Sequence, residues 1–151
     1  MAEYVMLHVL ALERKYSENA AKQARKEWGV RGGVAQKSYR MLDTLTLGVL
    51  GSGDIGMEVA KRANAFGMRV IVCKRDVSTA KPPHVSTMFG PDQLREFLQE
   101  LDYCVNLLPS TAETRALLSG GTLASCSSAV LINVASARRP PLSGYDPDLA
   151  E

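Results

Sequence analysis

The chain has 151 residues, 46% hydrophobic and 23% charged, the proportions of a single globular domain with a sizeable core. A formal net charge of +2, with acids and bases interspersed, argues against a nucleic-acid partner. The apolar run 5–12 is interrupted by His8 and is too short for a membrane span, and Cys73, Cys104 and Cys126 lack metal or redox spacing, so the sequence reads as a soluble, cytoplasmic chain with reduced thiols and no metal.

Residues 2–28 are expected to be helical, with Val5, Val9 and Leu12 on one face and Ser17 placed to cap a second helical piece. The glycine-rich 29–33 ends that helix, and a polar loop runs on to residue 40. An apolar run over 45–50 then predicts the first strand, and Ile55, Val59, Ala63 and Phe66 recur at helical spacing beyond it. Between strand and helix stands Gly51-Ser52-Gly53-Asp54-Ile55-Gly56, the G-x-G-x-x-G spacing of dinucleotide sites. The first glycine turns the chain, the second lets a pyrophosphate approach the backbone, and the third lets helix and strand pack closely. Free N–H groups at the helix start favour an anion.

After Gly67, a second buried strand is expected over 68–73, a proline loop at 82–83, and a short third strand over 84–88. Pro91 suits a first helical position, and Leu94, Phe97, Leu98 and Leu101 make an i, i+3, i+4, i+7 stripe. Strand 103–108 follows, then a short helix to Leu118 opened by the Ser110/Glu113 capping-box spacing, a helical turn near Leu123, and a last strand over 129–134. Alternating helices and continuously apolar strands predict an α/β fold whose parallel sheet is covered on both faces.

Three stretches, TLGVLGSGDIGMEVAKRANAFGMRVIV, LDYCVNLLPSTAETRALL and AVLINVA, together resemble the D-isomer-specific 2-hydroxyacid dehydrogenases, and within them the glyoxylate and hydroxypyruvate reductases. The middle stretch weighs most, because a strand ending in Leu-Pro followed by Ser-Thr-Ala-Glu-Thr is no general nucleotide-fold feature. The resemblance implies a Rossmann-type doubly wound sheet over 1–136, truncated on its C-terminal side; 137–151, with prolines at 140, 141 and 147, resembles nothing in the family and is expected to be an irregular or disordered tail. It implies that the backbone of Gly53, Asp54 and Ile55 holds the pyrophosphate, that Leu108 and Pro109 line the nucleotide site, and that Val134 lies near the nicotinamide. For Leu108 and Val134, which end buried strands, plain core packing is the competing reading.

Family members that use NAD carry an acid just after the second strand, where this chain has Lys74 and Arg75, and two cations favour the 2′-phosphate of NADP. Asp76, about twenty residues after Gly56, keeps the NAD alternative open. The family's substrate-clamping arginine is replaced here by Ser136, which is too short for a bidentate grip, and Arg138 and Arg139 lie further on before Pro140 and Pro141. The family's later glutamate and histidine and its substrate domain would lie outside this chain, while His8 and His84 read as structural or solvated. The expectation is a cofactor domain cut at both ends with little turnover of its own. The alternative is a non-catalytic nucleotide-binding or dimerising module, a homo-oligomer or a heterodimer with a full-length relative. An apolar edge strand at 129–134 would favour self-association.

Overall fold

A computed structural model describes residues 1–28, 39–115, 117–119, 121–126 and 129–135. The loop 29–38, Ser136, Arg138, Arg139 and the tail lie outside the described residues. Five strands, β1 (Thr46–Leu50), β2 (Arg69–Cys73), β3 (Thr87–Phe89), β4 (Tyr103–Asn106) and β5 (Val130–Asn133), form one sheet in the order β3-β2-β1-β4-β5. Every pairing is parallel, with Gly48 opposite both Ile71 and Cys104. All five residues of β1 are buried, as a central strand covered on two faces requires. The expected Rossmann-type architecture is therefore present.

One face of the sheet is covered by α1 (Ala2–Glu13) and α3 (Asp54–Ala65), whose Val5, Val9, Val59 and Ala63 join Leu47, Val49, Val70, Tyr103 and Val105 in one core. The other is covered by α4 (Leu94–Gln99), where Phe97, Leu98 and Leu101 pack with Leu50, Ile71, Cys104 and Leu118. Pro91 opens a 3-10 turn before α4, and the Gln93 side-chain oxygen accepts from the Gly90 amide at 3.2 Å. The order reverses between β1 and β4, and in open parallel sheets ligands bind in the crevice outside the strand ends at such a switch point.

Several local expectations are corrected. The second helical piece expected within 2–28 is present as α2 (Tyr16–Ala24), but it starts after Lys15, left-handed at φ +49°, and takes no cap from Ser17. Val5 and Val9 are fully buried, but Leu12 is 53% exposed because the next position on their face is Glu13. In α3 the buried face is Gly56, Val59, Ala60 and Ala63, leaving Ile55 and Phe66 46% and 47% exposed. Side-chain-free Gly56, not Ile55, meets the strand. The third strand is Thr87–Phe89, because Val85 N–H bonds back to Pro82 in a turn first.

The short helix expected after Pro109 is a set of turns over 112–115 and 117–119. Thr111 takes the capping role assigned to Ser110: its amide donates to Thr114 Oγ1 at 3.0 Å, and the Thr114 amide donates to Thr111 Oγ1 at 3.3 Å. Glu113 turns away from the backbone and accepts from the Thr111 hydroxyl at 3.1 Å.

Candidate functional site

The crevice is shaped first by Gly51. It holds φ +99°, which a side-chain-bearing residue rarely adopts, and donates its N–H to Cys73 O at 3.0 Å, so the chain turns off β1 while still tied to β2. Leu108 sits beside this turn, its Cδ2 3.5 Å from where a Cβ on Gly51 would lie. A Cβ on Gly56 would fall 2.2 Å from Gly51 O, so α3 lies against the strand end only because that residue is glycine.

The second glycine of the motif differs. Gly53 is exposed, at φ −71° and ψ −177°, and a Cβ there would meet nothing within 4 Å. The protein's own packing does not require glycine at that position, whereas a ligand pressed against the backbone would. Met57 N–H is the first amide of the bend to bond back, to Gly53 O at 3.0 Å. The amides of Ser52, Gly53, Asp54, Ile55 and Gly56 have no acceptor among the described residues. These N–H groups at the positive end of a 12-residue helix form a cradle for an anion such as a diphosphate, and the residues present fit that group.

Beyond β2, Lys74 is half-buried, its amide bonded to Phe89 O at 3.0 Å and its ammonium to the Thr79 hydroxyl. Arg75 is 80% exposed and lies 3.5 Å from Glu113 Oε2, an ion pair joining the segments that follow β2 and β4 on either side of β1. Asp76 Oδ1 accepts from both the hydroxyl and the amide of Ser78, which holds its carboxyl below the usual range.

At the far side of the crevice, Leu108 is half-buried against the α4-side core and Pro109 is exposed. Val134 is half-buried against the α1/α3-side core. Core packing thus accounts for part of what Leu108 and Val134 do. Asn106, fully buried at the end of β4, donates Nδ2–H to Asn133 Oδ1 of β5 at 3.1 Å. The sequence shows an asparagine near the end of each of these strands, but nothing in it says that the two strands lie side by side.

The rest of the described surface offers little acid–base or nucleophilic chemistry. Burial pushes the Cys73 thiol up to about 11 and raises Cys104 and Cys126 as well. All three thiols are free. His8 stacks edge-on with Tyr4 at 4.3 Å, and the Nε2 atoms of His8 and His84 are buried without a hydrogen-bond partner in the described structure. No group of three or more His, Cys, Asp or Glu among the described residues is placed to hold a metal.

The glycine bend and parallel sheet have close counterparts among known proteins. The family description "D-isomer specific 2-hydroxyacid dehydrogenase, NAD binding domain" matches residues 6–138. The chain belongs to this family. This 2-hydroxyacid dehydrogenase domain is 33% identical over 136 residues to glyoxylate/hydroxypyruvate reductase A of Serratia proteamaculans, a match covering 89% of the chain and 41% of the relative. A family structure from Aeromonas salmonicida superposes with a TM-score of 0.77 at 30% identity, again over 89% of this chain and 41% of that one. A family structure from Xanthobacter autotrophicus in complex with NADPH and MES gives 0.72 at 30% identity, over 89% and 53%. The chain thus spans about two fifths of the curated relative's length.

Proposed function

We propose that this chain is the NADP(H)-binding part of a reductase of short 2-oxoacids of the glyoxylate and hydroxypyruvate type, and that it binds the cofactor without turning substrate over. The observation that carries the reading is the run of amides from Ser52 to Gly56 without an acceptor among the described residues, at a bend where Gly53 leaves open space. In this reading Gly51 and Gly56 set the bend, and Gly53, Asp54 and Ile55 present amides to the pyrophosphate. Leu108 and Pro109 border the nucleotide, and Val134 lies on the nicotinamide side. When bound, reduced NADP supplies a hydride for a carbonyl carbon.

The preference for the 2′-phosphate rests on Lys74 and Arg75 following β2, while Asp76 spends one carboxylate oxygen on its own loop. The NADPH complex of the Xanthobacter relative supports this choice. The case against turnover rests on Ser136, which offers no guanidinium where family members clamp the substrate carboxylate. Free thiols at Cys73, Cys104 and Cys126 suit a reducing compartment, and we take that compartment to be the cytoplasm. No helix among the described residues is long and apolar enough to cross a membrane.

One fluorescence titration tests the proposal. The chain is expected to bind NADPH about tenfold more tightly than NADH, to lose that margin in Arg75→Asp, and to leave NADPH unconsumed when glyoxylate is added. Equal or tighter binding of NADH would overturn the cofactor choice, and steady NADPH oxidation would overturn the reading of Ser136.

A further inference from the structure

Where β4 and β5 leave the sheet, the backbone ladder ends at Leu107 N–H to Leu50 O, 2.9 Å, and Val134 N–H to Asn106 O, 3.1 Å. Past those bonds, two side chains take over. Asn106 Oδ1 accepts from the Leu108 amide at 3.3 Å, and Asn133 Oδ1 accepts from the Ala135 amide at 3.3 Å. Each asparagine thus closes the same tight turn, its side-chain oxygen bonding the amide two residues on. The two are register partners across β4 and β5, and Asn106 Nδ2–H donates to Asn133 Oδ1 at 3.1 Å, linking one turn to the other.

We infer that Asn106 and Asn133 are positioning residues: a paired amide clamp that ties the segment of Leu108 and Pro109, beside the nucleotide, to the segment of Val134 and Ala135 on the nicotinamide side. The inference rests on the cofactor reading above. An interior position of a parallel strand is ordinarily filled by an apolar side chain, as at Tyr103, Cys104 and Val105 on the same strand. Asn106 is as buried as these, and a buried amide is tolerated when its polar atoms are bonded, as they are here to Leu108 and Asn133. What those bonds hold is not the sheet, which the backbone ladder already holds. They hold the amides of Leu108 and Ala135 just beyond its edge, and through them the chain next to Pro109 and Val134. The diphosphate cradle belongs to Gly51 and α3 and, among the described residues, shares no side-chain hydrogen bond with the clamp, so the two halves of a dinucleotide should respond to the clamp differently.

The full chain is titrated with NADPH and with 2′-phospho-ADP-ribose, which lacks the nicotinamide, and each variant is melted to check its fold. Asn133→Leu is expected to weaken NADPH about fivefold while leaving 2′-phospho-ADP-ribose unchanged. Asn133→Asp keeps an acceptor for both the Asn106 and the Ala135 N–H groups and is expected to restore most of the lost NADPH affinity. Asn106→Leu should reproduce the selective loss if it folds, and the exposed position 133 keeps the test decisive if it does not. Asn133→Leu binding both ligands as the parent does, or losing both in the same proportion, would overturn the clamp while leaving the cofactor reading standing. Failure of the parent chain to bind either ligand would sink the cofactor reading, and the clamp with it.

Discussion

At the scale of single residues, two glycines three positions apart are glycine for opposite reasons. Gly56 is required by the protein: a methyl group would stand 2.2 Å from Gly51 O, a backbone atom that cannot swing aside, so α3 would have to lift off β1. Gly53 is in a backbone conformation open to any residue, and a Cβ there would meet nothing within 4 Å. Gly56→Ala is therefore expected to cost about 2 kcal/mol in a denaturant melt. Gly53→Ala should leave stability unchanged or slightly raised, because it narrows the unfolded ensemble, yet weaken NADPH about tenfold by standing where the diphosphate approaches. Parallel losses of stability and affinity in both variants would refute this division. The glycine bend was legible in the sequence because backbone geometry restricts the residue types it accepts. The Asn106–Asn133 pair was not, since nothing in either asparagine's own neighbourhood says that the two strands lie side by side.

At the scale of elements, the strands were easier to read than the helices. In 45–50, Leu45, Leu47 and Val49 alternate and a glycine turn follows Leu50, which reads as a strand, and β1 lies one residue inside that range. The α1–α2 break turns on Lys15 in a left-handed conformation, with no glycine or asparagine there to announce it. What holds α1 in place is a long-range network at the strand starts, opposite the crevice. Buried Glu13 accepts from Arg40 at 2.5 and 3.2 Å and from the Tyr103 hydroxyl at 2.6 Å. Arg40 reaches on to Asp102 at 2.7 Å, and Asp102 accepts the Thr46 amide at 2.9 Å.

Burial alone would raise the Glu13 carboxyl, but the hydrogen bonds from Arg40 and Tyr103 outweigh it and hold the group below its ordinary 4.5. A carboxylate whose folded value is depressed stabilises fully above its unfolded value and loses that contribution as pH falls through the folded one. Glu13→Gln is expected to cost about 2 kcal/mol at pH 7, less than breaking a fully buried pair because Arg40, 43% exposed, can return to water. The gap between parent and variant should shrink as the pH is lowered below 4.5. Urea melts between pH 7 and pH 3 check this, and a gap that stays constant over that range would show that the charge at position 13 contributes nothing.

At the scale of the whole molecule, the two ends of the sheet are finished differently. The strand starts are tied by charged side chains that answer one another, whereas at the crevice end the amides from Ser52 to Gly56 have no acceptor among the described residues. A ligand that takes up those amides binds the folded chain and not the unfolded one, so it must raise stability by RT ln(1 + [L]/Kd), about 2.7 kcal/mol at one hundred times Kd. For a domain of this size each kcal/mol moves the midpoint by about 2–4 °C, so saturating NADPH should raise Tm by about 5–10 °C. Inorganic pyrophosphate carries only the group the amides would hold and should give a smaller rise in the same direction. Gly53→Ala, with its packing intact, should melt like the parent without ligand and respond weakly to either. If NADPH raised the midpoint of Gly53→Ala as far as that of the parent, the nucleotide would be seated elsewhere on the molecule, and the glycine bend would be a turn and nothing more.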